Sequence, residues 1–426
     1  MVFKFTLLVA LAVTATSARK APNADHVKSL FGADPVFRYS SNIEEDSQLD
    51  APGLIAKYGY PVEVHTVETS DGYILETHRI PYGRDQNNDP TVKRPVVFVM
   101  HGLLSSSADF LVLGPDNALA YLLAEAGYDV WLGNARGNYY SRKHRSINPD
   151  GVLQNFWRFS WDEIGNYDLP AFIDYILEKT DQEKLHYIGH SQGGTTFLVL
   201  NSLRPEYNEK FLSFQGLAPA SYFINNQVSL FRSLAPLESL IETTAFAMGQ
   251  GEIFGENDFV DWFKRNFCGD NPSAIFASLC ETNILNGLAE REYYNSTLVP
   301  LFLAHAPAGA SVRQVAHYGQ TIRFEAFRRY NFNSVQNLAT YGRLSPPAYD
   351  LTKITAPAYL HYGLSDNEVH YKDLLLLADT LPNVVGVYKA ERDSFNHYDF
   401  IWGIDVKEQI YERTLIPLLK EIDSRQ

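Results

Sequence analysis

Residues 185–194 read Leu-His-Tyr-Ile-Gly-His-Ser-Gln-Gly-Gly, and this run decides the fold. Leu185 to Ile188 is apolar and β-prone, Gly189-His190-Ser191-Gln192-Gly193 is a G-x-S-x-G element, and Thr195 to Leu203 suits a helix. Strand, sharp turn and helix in that order are the setting of a nucleophile elbow. The turn leaves no room for side chains at its flanks, so glycines stand there. Ser191 is then held at the apex with its hydroxyl exposed. A helix N-terminus lies beneath it, and that dipole favours negative charge developing near the serine. An ordinary glycine-rich strand-to-helix turn would look the same in isolation, so the weight falls on the surroundings.

Upstream, Val62 to Glu68 and Tyr73 to Ile80 read as strands joined by the hairpin signal Ser70-Asp71-Gly72. Pro95 to Met100 is a near-continuous apolar run, as in a buried parallel strand. Leu119 to Ala126 suits a helix ended by Gly127, followed by a short strand from Tyr128 to Leu132. An amphipathic helix from Leu169 to Lys179 leads into the elbow strand, and Phe211 to Leu217 gives one more strand. The alternation then stops: residues 221–340 read as helices and loops. Strands resume at Pro357 to Tyr362 and Val384 to Lys389, before a final helix from about Asp405 to Ile422. The expectation is an α/β chain with one doubly wound, mostly parallel sheet and helices on both faces. Its core comprises residues 53–220 and 341–426. Residues 221–340 form an inserted, mainly helical cap, because 120 residues are too many for a simple loop.

A serine hydroxyl needs a base, and the base needs a carboxylate to fix its tautomer and stabilise its cation. On this architecture the chain order is Ser, Asp or Glu, His, with each group in a loop after a strand. Asp366 fits the acid, in Gly363-Leu-Ser-Asp after the strand at 358–362, and His397 fits the base, in Phe395-Asn-His-Tyr before the last helix. The competitors are poorer. His361 lies inside a strand, His370 follows Asp366 too closely, and Asp393 serves only if Asp366 is structural. The oxyanion needs backbone donors. The amides of Gln192, after the nucleophile, and of Leu103, in His101-Gly-Leu-Leu104, are placed to supply them. The segment Gly133-Asn-Ala-Arg-Gly-Asn138 lacks the spacing of a phosphate loop and reads as a turn, and His186 and His190 do not lie on one helix as a metal pair would. The aromatics of residues 153–161 read as core. No cofactor or metal is expected.

The chain has 426 residues and a net charge of -14 with no basic block, which argues against nucleic acid and anionic membrane surfaces as partners. Met1 to Ala18 reads as a secretory signal: Lys4, an apolar Phe5 to Val13, and the small residues Thr16-Ser-Ala18. The apolar stretch is too short to span a bilayer. Residues 19–52 are polar and irregular, an arm or a pro-segment. Cys268 and Cys280 are the only cysteines, either one disulfide in an oxidising compartment or two buried thiols. Asn295-Ser-Thr297 is a glycosylation sequon.

Seven segments together resemble the acid lipase family, the secreted and lysosomal α/β-hydrolases. They are Tyr58-Gly-Tyr-Pro61, Asp71-Gly-Tyr-Ile-Leu75, His101-Gly-Leu-Leu104, Gly127-Tyr-Asp-Val-Trp-Leu-Gly-Asn-Ala-Arg-Gly137, Tyr167-Asp-Leu-Pro170, Leu185-His-Tyr-Ile-Gly-His-Ser-Gln-Gly193 and Phe395-Asn-His-Tyr-Asp-Phe400. The agreement is looser over Gly363 to Val369 and over residues 221–280. The resemblance implies an α/β-hydrolase fold, a triad of Ser191, Asp366 and His397, and oxyanion donors at Leu103 and Gln192. It also implies a cap and lid with a disulfide that Cys268 and Cys280 supply. The implied activity is hydrolysis of fatty-acyl esters of neutral lipids, triacylglycerol or steryl ester, at a lipid–water interface. The implied location is extracellular, with the lysosome as the alternative. Two other functions fit the same elements: a serine peptidase or acyltransferase, and a lipid carrier whose triad would be broken.

Overall fold

The computed structural model describes residues 41–225, 235–255, 293, 295 and 298–425. The signal segment 1–18 and both Cys268 and Cys280 lie outside the described residues.

One nine-stranded sheet organises the chain. Its strands are β1 (Glu63–Glu68), β2 (Tyr73–Ile80), β3 (Val96–Met100), β4 (Asp129–Gly133), β5 (Lys143–His144), β6 (Leu185–His190) and β7 (Phe211–Leu217), completed later by β10 (Ala358–Tyr362) and β11 (Val384–Lys389). A separate two-stranded ribbon pairs β8 (Glu252–Ile253) with β9 (Ala310–Ser311). The order is β1-β2-β4-β3-β6-β7-β10-β11, with β5 on β2. From β4 to β11 all neighbours are parallel, while β1 and β2 run antiparallel at one edge. β3, β4 and β6 are buried at every position. Side chains alternate across a sheet, so complete burial means both faces are covered. Among the covering helices, Leu169–Thr180 turns Phe172, Ile173 and Ile176 into the core, and Gln192–Leu203 is buried along nearly its whole length.

Beyond β7, the described elements before β10 are mainly helical: Glu238–Ala247, Val299–His305, Val312–Phe324 and Ser334–Tyr341. Three details depart from the sequence expectation. The stretch read as irregular before residue 53 is helical over Ser41–Ser47, and Asp46 there binds Lys57 Nζ at 2.7 Å. β6 runs on to His190, and its following helix begins at Gln192. The last helix divides into a widened π segment, Lys407–Leu415, and an α segment, Ile416–Asp423.

The order of strands reverses between β3 and β6: the chain leaves β3 for β4 on one side and returns to β6 on the other. Such a switch point opens a crevice at the carboxyl ends of the strands. Gly189 pairs with Met100 across this boundary, so the residues that follow, Ser191 and Gly102, face each other at the rim.

Candidate active site

Ser191 sits at φ 52°, ψ −117°, a conformation that costs a non-glycine residue on the order of 1–3 kcal/mol. Its surroundings hold it there. Its N–H donates to Leu217 O at 3.0 Å, and its carbonyl accepts from Gly194 N at 2.9 Å and Thr195 N at 3.2 Å. The glycines leave no room for a methyl. A Cβ on Gly189 would stand 2.6 Å from the Gly193 carbonyl carbon, and one on Gly193 would stand 2.2 Å from Met100 O. Gly193→Ala is therefore expected to destabilise the protein by about 3 kcal/mol or more, because backbone must yield. A denaturant melt within 1 kcal/mol (roughly the scale of a tolerated swap) of the parent would contradict this close contact.

Two loops bring the other groups to the same rim. Gly363, just past β10, packs so tightly that a Cβ there would meet Phe395 O at 2.1 Å, and Ser365 N donates to the same carbonyl at 3.2 Å. The Asp366 loop is thereby fastened to the chain two residues before His397. His397 Nδ1 lies 2.9 Å from Asp366 Oδ2. The other oxygen, Oδ1, accepts from Glu368 N at 2.9 Å and Val369 N at 2.7 Å. Asp366 and His397 are 2% and 5% exposed, so the pair is shielded from water. Next to Ser191, His190 donates from Nε2 to the His397 carbonyl at 3.1 Å, and the two rings lie 4.8 Å apart. The structure thus joins Asp366 to His397 and sets Ser191 one residue from a histidine that contacts His397.

Burial opposes a charge on His397, yet the anions of Asp366, and after it Glu368, outweigh burial and raise its pKa above the ordinary histidine value. For His190 burial dominates, aided by repulsion from His397, and holds the ring neutral. Burial also raises the Glu368 carboxyl. Replacing Glu368 by glutamine removes an anion that favours the imidazolium, so the His397 titration is expected to move to lower pH. NMR of histidine-labelled protein reads this directly. A midpoint that stays put or rises would refute the coupling.

The competing residues have other duties. His361 is fully buried and bonds Gln215 Oε1 at 2.9 Å; Asp393 is exposed and pairs with Lys389; His370 caps the helix Tyr371–Thr380. Among the described residues two other serines are linked through a histidine to a carboxylate. Ser107, His78 and Glu76 are joined at 2.9 and 2.8 Å, and Ser213, His186 and Asp423 at 2.8 and 3.0 Å. Their serines and histidines are 0% exposed, so no substrate carbonyl can reach them. Ser191 is half-buried, at the crevice.

Of the backbone donors, Gln192 N opens a helix, where first-turn N–H groups lack intrahelical acceptors. Leu103 follows Gly102, whose added Cβ would stand 3.3 Å from Ser191 Cβ, so this loop lies directly against the serine. Asn295 is half-buried, and its carbonyl accepts from Leu298 N at 2.9 Å. Among the described residues no cluster of His, Cys, Asp and Glu is placed to hold a metal ion.

Sequence reasoning missed the segment 133–138. Read as a turn, it is a buried polar hub: Arg136 Nε donates to Asp168 Oδ1 at 2.7 Å and Nη1 to Asp71 Oδ2 at 2.7 Å. The only local hint was an arginine and two asparagines directly after a fully buried strand.

The α/β-hydrolase fold family matches residues 95–404, and the partial α/β-hydrolase lipase region matches residues 51–114. Lipase 1 of Drosophila melanogaster is 43% identical over 378 residues, 88% of this chain and 80% of that protein. Human gastric triacylglycerol lipase is 37% identical over 370 residues, 84% of this chain and 88% of that protein. In structure, a proposed lipase from Sulfolobus solfataricus shares the fold with a TM-score of 0.55 at 15% identity, covering 86% of this chain and 94% of that one. Fold, rim geometry and relatives agree: this chain belongs to the lipases of the α/β-hydrolase fold family, enzymes that hydrolyse carboxylic esters.

Proposed function

We propose that the protein is a secreted lipase that cleaves fatty-acyl esters of neutral lipids, triacylglycerol or steryl ester, through an acyl-enzyme on Ser191. His397 takes the hydroxyl proton as Ser191 Oγ attacks the ester carbonyl, and Asp366 holds the imidazole by its Nδ1–H and stabilises the cation. The amides of Leu103 and Gln192 receive the oxyanion. Collapse of the tetrahedral intermediate expels the alcohol, which leaves with the proton from His397. Water, activated by the same imidazole, then attacks the acyl-enzyme and releases the fatty acid. The observation that carries this reading is the buried His397–Asp366 pair, 2.9 Å apart, at the same rim as the strained Ser191.

Residues 221–340 form a cap that shields the site and opens at a lipid–water interface. The core comprises 53–220 and 341–426. Residues 1–18 are a leader and 19–52 an arm or pro-segment. Cys268 and Cys280 pair within the cap, and Asn295 carries a glycan. The name of the gastric relatives supports triacylglycerol as substrate, and the leader-like segment 1–18 supports export from the cell, with the lysosome as the second destination. Among the described residues no helix is long and apolar enough to cross a membrane.

The test is a panel of triacylglycerol, steryl ester, small ester and peptide at acidic and neutral pH, with a serine-reactive phosphonate as label. Hydrolysis of the long-chain esters with labelling at Ser191 is expected. Cleavage of the peptide alone would make it a peptidase, and an unlabelled protein would be a carrier.

A further inference from the structure

The proposed donor Leu103 is held from both sides by bonds to the neighbouring peptides. Its N–H belongs to the Gly102–Leu103 peptide, and the carbonyl of that same peptide, Gly102 O, lies 2.7 Å from His101 Nδ1. On the far side, Leu104 stands at φ 62°, and its carbonyl accepts from Ala308 N at 2.7 Å.

The tautomer of His101 is fixed by its neighbours. Its Nε2 lies 3.1 Å from Ala135 N, a backbone group that can only donate. Asn138 Nδ2 is 3.2 Å from the same nitrogen. The Asn138 amide cannot be reversed, because its Oδ1 accepts from Tyr140 N and Ser141 N, both at 3.1 Å. With donors facing Nε2, the ring proton must sit on Nδ1 and point at Gly102 O. Burial lowers the His101 pKa to about 4, which favours the neutral ring. The loop that presents Ala135 and Asn138 is fastened by the Arg136 hub, since Arg136 N also donates to Asp168 Oδ2 at 3.0 Å.

We propose that His101 is a positioning residue of the oxyanion hole, its Nδ1–H fixing and polarising the Gly102–Leu103 peptide so that Leu103 N–H aims at the developing oxyanion. The proposal rests on the assignment of Leu103 as a donor. A hydrogen bond to the carbonyl of a peptide increases the donor strength of its N–H, and pre-aimed dipoles need no reorganisation as charge builds. Leu103 also follows a glycine and precedes a strained residue, so without this bond little in its own backbone would fix the plane.

Two substitutions divide the roles of the ring. His101→Asn keeps a donor at the δ position for Gly102 O and gives up the acceptor for Ala135 N. His101→Gln keeps an acceptor at the ε position and gives up the Gly102 bond. Activity is measured on a soluble ester with concentrations normalised by active-site titration, alongside thermal melts and the Ki of an alkylboronic acid, whose tetrahedral adduct puts an oxygen in the hole. His101→Gln is expected to lose about 10- to 100-fold in kcat, less than the full loss of an oxyanion donor, with KM little changed and the boronate Ki raised in parallel. His101→Asn is expected to keep kcat within about 3-fold even if it melts earlier. Equal losses in both variants that follow the melting temperature, or a His101→Gln enzyme with parental kcat, would overturn the proposal. Ser191→Ala serves as the separate control: if it stays active, the ester-hydrolase site itself is wrong, whereas an inactive Ser191→Ala beside an unaffected His101→Gln removes only the role of His101.

Discussion

Ser191→Ala is expected to lower turnover of an acyl ester by about 10⁵- to 10⁶-fold, the scale seen when a serine nucleophile is deleted. The change removes the hydroxyl proposed to form the acyl-enzyme and leaves the rest of the rim in place. Alanine accepts the same backbone strain at φ 52° as serine does, and the bonds that residue 191 donates to Leu217 O and accepts from Gly194 N are main-chain bonds that survive. Folding is therefore expected to be unchanged within about 0.5 kcal/mol, as for a substitution that neither opens a cavity nor orphans a buried group. The measurement pairs kcat on purified protein with a melt. Hydrolysis persisting above about 1% of the parent, far over the residual rate such sites retain, would move the nucleophile elsewhere.

Asp366→Asn is expected to cost about 10⁴-fold in kcat, the penalty of a wrong imidazole tautomer. The hydrogen bonds dictate how this happens. Oδ1 of Asp366 receives two backbone donors, Glu368 N and Val369 N, so the amide oxygen of an asparagine must take that place. Its NH₂ then faces His397 Nδ1, where Oδ2 now lies at 2.9 Å. Nδ1 is forced to accept, the ring proton moves to Nε2, and the nitrogen that must take the serine proton has no lone pair free. The size is nearly isosteric, so the melt should move little while kcat collapses and KM holds. A fall of less than about 10-fold would show that the carboxylate does not set the tautomer and would return Asp393 to consideration.

Much of this was legible in the chain. Fully buried parallel strands leave no polar alternation, so β3 stands out as an apolar run at the position where it forms. The β1–β2 hairpin was readable because its turn chemistry is local. Chain order and strand-end loops were enough to propose Ser191, Asp366 and His397, of which the structure joins Asp366 to His397 at 2.9 Å. The misreadings share a physical cause. Gly189-His190 looks like the start of a turn, yet both residues stay in β6 because Met100 on one side and Gly216 and Leu217 on the other pair with them. Gly193-Gly194 is poor helix sequence, yet the helix starts before it because the elbow leaves those residues no space for anything but glycine.

Covalent order and side-chain chemistry alone determined the sheet class and the serine at a strand-to-helix turn, and singled out His397 and Asp366 as candidate base and acid, since each depends on residue type and short-range spacing. Tertiary structure decided what surrounds them. Arg136 reads as a turn residue until Asp168 and Asp71, 32 and 65 positions away, close on it. Ser213, His186 and Asp423 are hydrogen-bonded in series at 2.8 and 3.0 Å, as a triad would be, but Ser213 and His186 lie inside β7 and β6 and are 0% exposed. His101 gains a fixed tautomer only when Ala135 arrives from another strand end. Charge pairing, solvent access and proton position depend on distances across space, and a linear order of residues does not contain those distances until the chain has packed.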